Sequence, residues 1–238
     1  MAHLASTSFT LIAALAIAVV PTMALAGDLF TGFQMDDDGQ YFAYLGLRET
    51  LPWEVSELKT YVQLFASGQS YEYESGNRDI EAEIQSLTPS LGVTKSLTGT
   101  AWSLSALAGP QLRWKKEEGF LNDSGRDLDV GVFVQAESMY WKEAGSLHAI
   151  VSYASLDDFF FGRLRGKMRA FTPETGCCQV FLGFEAAGMG NDDFRALQIG
   201  PLVEVPVGRV FLLARGGYQN DNSSGSRGYG GLELYMPF

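Results

Sequence analysis

The chain has 238 residues, of which 46% are hydrophobic, 13% aromatic and 19% charged, and its mean hydropathy is +0.01. That balance excludes a disordered segment, which needs low hydrophobicity and high charge, and it leaves apolar surface for one large core or a lipid-facing wall. Seventeen Lys and Arg against 28 Asp and Glu give a net charge of −11, which repels a polyanion, so no nucleic-acid partner is expected.

Residues 9–20 are apolar apart from Thr10, and Pro21 and then Ala24-Leu25-Ala26 follow. This reads as a cleaved signal peptide, residues 1–26, although its start carries no Lys or Arg. The run is too short for a helix that crosses a bilayer, which needs about 20 residues. Residues 27–238 then form one domain. No later stretch approaches the roughly 18 consecutive apolar residues of a helical anchor.

Alternation takes the place of long apolar runs. Trp102, Leu104, Ala106, Ala108, Pro110, Leu112 and Trp114 are apolar at every even position, with Ser103, Ser105, Gly109, Gln111 and Arg113 between them. A strand of that length with Trp at both edges has the dimensions of a transmembrane β-strand, which needs ~9–11 residues and meets an aromatic girdle at each interface. The pattern recurs, with Leu128, Val130, Val132, Val134 and Ala136 on one face and Val180, Leu182, Phe184 and Ala186 on another. The predicted strands are 28–36, 40–49, 58–70, 79–96, 100–115, 127–142, 146–156, 159–172, 177–189, 194–206, 209–219 and 228–238. The fold expected is all-β, a single antiparallel transmembrane β-barrel of about twelve strands. In 79–96, Ile80, Ala82 and Ile84 are even whereas Leu87, Leu91 and Val93 are odd, which predicts a bulge between 86 and 89.

Connections 142–145 and 206–209 are tight, whereas 70–79, 115–127 and 219–228 read as long polar loops on the opposite, extracellular side. That side also holds Asp36-Asp37-Asp38, Asp157-Asp158 and Asp192-Asp193. Its loops carry fifteen acidic and five basic residues, so nearly all of the net charge sits there, as a solvated rim or a cation site. Both termini are expected on the periplasmic side. In the last strand Leu232, Leu234, Met236 and terminal Phe238 alternate with Gly231, Glu233, Tyr235 and Pro237. The ending resembles the C-terminal signal of outer-membrane barrels.

The most informative run of charge lies in 159–172, where Arg163, Arg165, Lys167 and Arg169 occupy alternate positions. Facing lipid would cost ~2–4 kcal/mol for each base near the midplane, so this basic ladder must face the lumen. Parity places Glu137, Glu185, Glu204 and Glu233 inside as its acidic partners, together with Glu81, Glu83, Asp129, Arg113 and Arg215. A salt-bridged interior that fixes register and a conduit whose basic wall binds a solute both fit this arrangement.

Catalytic chemistry has little material. The segment after residue 26 holds one histidine, His148, and the adjacent Cys177-Cys178, whose side chains point to opposite faces of a strand. No metal site and no cofactor are expected. A lipid-modifying enzyme would have to combine His148 with Ser146 or Ser152 and a carboxylate such as Glu137, but four residues of strand separate His148 and Ser152 by about 13 Å.

An ordered series of short segments runs through the chain: Gln40-Tyr41-Phe42-Ala43-Tyr44-Leu45-Gly46, Tyr71-Glu72-Tyr73, Leu107-Ala108-Gly109-Pro110, Gly162-Arg163-Leu164-Arg165-Gly166, Gly190-Asn191-Asp192-Asp193-Phe194, and Gly216-Gly217-Tyr218 before Gly228-Tyr229-Gly230. In this order and spacing the chain resembles the bacterial cellulose biosynthesis protein BcsS family. The resemblance implies an outer-membrane barrel with a non-catalytic, accessory role in cellulose or related exopolysaccharide production. It implies outer-membrane lipid, the polysaccharide and its secretion machinery as partners. Two other classes stay open, a scaffold that works through its loops and a small-solute or glycan passage. In the latter Phe133, Trp141 and Phe181 would stack on sugar rings.

Overall fold

A computed structural model of the protein describes residues 26–55, 57–75, 78–118, 127–171 and 179–238. Residues 1–25 of the expected leader lie outside these, as do Cys177 and Cys178. Twelve strands follow in order: β1 (Gly27–Asp36), β2 (Tyr41–Val55), β3 (Leu58–Ser75), β4 (Arg78–Ser96), β5 (Trp102–Glu118), β6 (Asp127–Lys142), β7 (Gly145–Ala154), β8 (Phe159–Phe171), β9 (Val180–Gly190), β10 (Arg195–Val207), β11 (Val210–Asp221) and β12 (Gly225–Pro237). Each pairs antiparallel with its sequence neighbours and β1 pairs with β12, so the sheet closes into a barrel. Closure satisfies the backbone groups of both edge strands, which is what allows a sheet to sit in lipid.

The alternation sorts side chains onto two walls. Val130, Phe184, Leu232 and Met168 point outward and are each 64–68% exposed, an apolar surface that only lipid would cover. Outward aromatics bracket it. The ring of Trp102 lies 5.1 Å from that of Tyr140 near the periplasmic end, and Tyr153 lies 4.8 Å from Phe160 near the other. No helix among the described residues is long and apolar enough to cross a membrane.

Three expectations need correction. β3 and β4 pair without a register shift from Lys59↔Thr94 to Ser75↔Arg78, so the predicted bulge in β4 is absent. Ile80, Ala82 and Ile84 point inward and are buried, whereas Glu81 and Glu83 share the outward face with Leu87, Leu91 and Val93. The apolar positions change face because the surroundings change: the upper part of β4 stands in water outside, and the lower part faces lipid. For the same reason 70–79 and 219–228 are not long loops. β3 continues to Ser75, and β11 and β12 run to Asp221 and from Gly225.

The β1–β12 seam is fastened at both ends. At the periplasmic end the Phe238 N–H donates to the Gly27 carbonyl at 2.9 Å and the Gly27 N–H donates to the Phe238 carbonyl at 3.0 Å. Residue 27 must be small, because a Cβ there would lie 2.6 Å from the Arg48 carbonyl oxygen and 2.8 Å from the Phe238 ring. At the extracellular end Arg227 of β12 meets Asp36 of β1 and Asp38 beyond it, each at 3.1 Å, and Asp221 of β11. The Asp37 carboxylate accepts from the Gly228 N–H at 3.1 Å.

Candidate functional site in the barrel lumen

The lumen holds a cavity of about 2080 Å³ lined from Asp38, Asp158 and Asp192 at the extracellular rim to Asp28, Thr94 and Pro237 at the periplasmic end. One side of it, from β8 to β12, is charged. Cross-strand pairing puts His148 beside Arg165, Arg165 beside Glu185, and Glu204 beside Leu213, which in turn pairs with Glu233, so all of these face the same interior.

Arg165 is the hub of that wall. Its Nε donates to Glu185 at 2.8 Å, and its two terminal nitrogens reach the two oxygens of Glu233, each at 2.9 Å. Such bidentate, charge-assisted contacts fix a guanidinium in orientation as well as position. The side chain of Glu185 is fully buried and also meets Arg215, while Arg215 Nε lies 3.3 Å from Glu233. Arg163 stands 3.6 Å from Glu233 and 3.9 Å from Glu185. Lys167 pairs with Glu204, and its ammonium sits 5.0 Å from the Trp141 ring centroid and 5.7 Å from that of Phe181.

Two of the residues singled out from the sequence sit elsewhere in the scheme. Arg169 departs from the lumenal ladder: it lies exposed near the periplasmic end and pairs at 2.6 Å with Glu143 of the β6–β7 turn. Parity gives it the ladder's face, but the strand has by then reached the end of the barrel wall. Glu137 is lumenal yet is not a partner of the ladder. It pairs at 2.8 Å with Arg48, which comes from β2 across the barrel, and stands 3.8 Å from His148 Nε2. Gln63 of β3 accepts two hydrogen bonds from the same guanidinium, at 2.9 and 3.0 Å, and the Tyr61 ring lies under it at 4.5 Å. Arg48 was missed from sequence, although Ala43, Leu45 and Leu47 on the opposite parity mark it as inward. Among the described residues no serine hydrogen-bonds to His148, and no group of three or more potential metal ligands converges.

Several of the rim acids have partners of their own. Arg113 meets Asp157 and, at 3.1 Å, Asp129, drawing the β7–β8 turn over the wall. Around Arg227, Asp221 lies above the outward Tyr218 and so beyond the apolar belt. Burial pushes its carboxyl up, but the Ser224 N–H, the Arg227 guanidinium, the Ser223 hydroxyl and the Gln219 amide outweigh that and hold it at about 2. Burial pushes the Asp36 carboxyl up from its ordinary value, against the pull of Arg227.

The opposite side of the lumen, from β2 to β6, is mostly neutral. Ser67 and Ser86 share a 2.7 Å hydrogen bond across β3 and β4, and Ser105 donates to Thr94 at 2.9 Å. Gln63, Gln69, Gln111 and Gln135 line the cavity between aromatic rings, among them Phe133.

Comparison with solved structures gives barrels of the same kind. The β domain of the Bordetella autotransporter BrkA has a TM-score of 0.55 at 12% identity, over 90% of this chain and 100% of that one. LpxR from Salmonella typhimurium has a TM-score of 0.50 at 10% identity, over 89% of this chain and 100% of that one. At such identities the likeness concerns fold alone, and with the lipid-facing wall it makes the chain an outer-membrane β-barrel. Comparison with curated proteins gives no match. The family model for cellulose biosynthesis protein BcsS matches residues 28–238, from the second residue of β1 to terminal Phe238, and the chain belongs to that family.

Proposed function

We propose that the barrel is a non-enzymatic accessory component of cellulose or related exopolysaccharide production, acting at the outer membrane with the synthesis and secretion machinery. The observation that carries this reading is the lumen itself. Arg163, Arg165, Lys167 and Arg215 are held by Glu185, Glu204 and Glu233, and His148 faces a carboxylate already bound by Arg48. These groups work as structure, fixing register and keeping one wall rigid, in place of proton transfer or nucleophilic attack. The leader, residues 1–26, is removed before insertion.

The test is deletion of the coding sequence in a cellulose-producing host, followed by complementation. Loss of cell-surface cellulose, restored by the full-length protein, is the expected result; unchanged cellulose would sink the proposal. A second reading, a small-solute channel, draws on the cavity of about 2080 Å³ lined at both ends. Planar-bilayer recording separates the two, since high, unselective conductance in an output-neutral deletion would favour the channel.

A further inference from the structure

Inward-facing aromatic side chains follow one another in a row that climbs the barrel. Near the periplasmic end Trp141, next to the last residue of β6, has its ring 6.4 Å from Phe211 at the start of β11, and Phe211 is 5.8 Å from Tyr235 on β12. Tyr235 pairs in register with Phe30 on β1, across the seam. From there the Phe30 ring lies 6.3 Å from Phe65 at mid-height on β3 and 6.4 Å from Tyr44, and Tyr44 lies 5.8 Å from Phe42, the second residue of β2 at its extracellular end. All seven line the cavity.

Two of the rings recline against the wall. A Cβ at Gly46 would lie 2.0 Å from the Phe30 ring, and one at Gly32 would lie 2.6 Å from the Tyr44 ring. Glycine at both places leaves room for the rings to lie close against the sheet. Hydrogen-bonding groups border the row: Gln34, Gln63, Ser67 and Gln69 line the same cavity, as does Asp28, which accepts from the Tyr235 hydroxyl at 2.6 Å.

We infer that this row is a binding track for a linear, neutral β-linked glucan chain, an inference that rests on the proposed role in cellulose or related exopolysaccharide production. A β-1,4-glucan carries its hydroxyls equatorially, so each ring has flat C–H faces that stack on an aromatic face, while the hydroxyls at its edges meet amides and hydroxyls. The lumenal cations described above are each ion-paired, those of the charged wall with Glu185, Glu204 and Glu233, Arg48 with Glu137 and Arg113 with Asp129 and Asp157, so a polyanion would have to displace a carboxylate to find a cation. The cavity exceeds the roughly 1,000 Å³ of sites for drug-sized molecules, as an oligomer requires.

The experiment is calorimetric titration of the folded protein in nanodiscs, free of sugar detergents, with cellohexaose, maltohexaose and an oligogalacturonate of equal length. Cellohexaose should bind saturably and more tightly than the other two. Trp141→Ala and Tyr44→Ala should each weaken it about tenfold, the worth of one aromatic stacking contact. Tyr44→Phe should retain binding, and so should Phe184→Ala on the lipid face; heat-modifiable migration checks that each variant is folded. Absence of saturable cellohexaose binding by the folded wild type, equal affinity in both alanine variants, or tighter binding of the anionic oligomer would each overturn the track. If deletion abolishes cellulose but the barrel binds no cellohexaose, the track fails and the accessory role stands. If cellohexaose binds on the track but deletion leaves cellulose unchanged, the track stands and the accessory role falls.

Discussion

The barrel has two unlike halves. β2 to β6 are 15 to 19 residues long and, apart from the Arg48–Glu137 and Arg113–Asp129 pairs, line the lumen with amides, hydroxyls and rings, whereas β7 to β12 are 10 to 13 residues long and carry the ion-paired wall. The tall half rises past the lipid, so its upper strands turn Glu81 and Glu83 outward to water and Ile80, Ala82 and Ile84 inward. The short half has no such extension, and its cohesion depends on charges at the level of the membrane. A buried charge is costly to strand without its partner, whereas a neutral hydroxyl pair adds about 1 kcal/mol, so the two halves should differ sharply in tolerance to substitution.

The largest effect should follow Arg165→Glu. The new carboxylate would stand against Glu185 and Glu233 where Arg165 now forks to both, and breaking a buried pair costs about 3–5 kcal/mol. The folded, heat-modifiable band should vanish at a markedly lower temperature or fail to form. Wild-type stability with altered conductance would instead mark the ladder as a transport element.

An intermediate effect is expected at the extracellular end of the seam. Arg227→Gln removes the partner of Asp36, Asp38 and Asp221 and should cost about 2 kcal/mol, seen as faster protease cleavage near the 221–225 turn. Its pH dependence has a definite sign. Asp221 is depressed from 3.8 to about 2, so its contribution is complete above about 4 and is lost as pH falls towards 2. Asp36 is shifted upward, so its protonation at higher pH adds stability and does not loosen the clasp. Protease resistance of the turn should therefore hold down to about pH 4 and fall below it.

The smallest effect should come from the neutral half. Ser86→Ala removes the Ser67–Ser86 hydrogen bond and should lower stability by about 1 kcal/mol, with no change in assembly. A loss as large as that of Arg165→Glu would erase the distinction between the halves.

Much of this was legible from one rule. A period of two, with apolar residues on one parity, marks the strands and assigns Glu185, Glu204, Glu233 and the run from Arg163 to Lys167 to the interior. The same rule failed at β4, because it assumes one solvent along the whole outer face. It also overextended the ladder to Arg169, because parity gives the face of a residue but not its height.

What the sequence determined by itself is therefore the sorting of side chains between two walls, the approximate strand limits and the closing segment that ends in Phe238. Those follow from local covalent geometry, which alternates side chains whatever the neighbours are. Partnership was decided by tertiary structure alone. Arg48 meets Glu137, 89 residues away, Arg165 meets Glu233, 68 residues away, and Phe30 comes beside Phe65. Which groups meet across a lumen depends on how strand tilt and stagger close the sheet, and that stagger is a property of all twelve strands together, written in no single one of them.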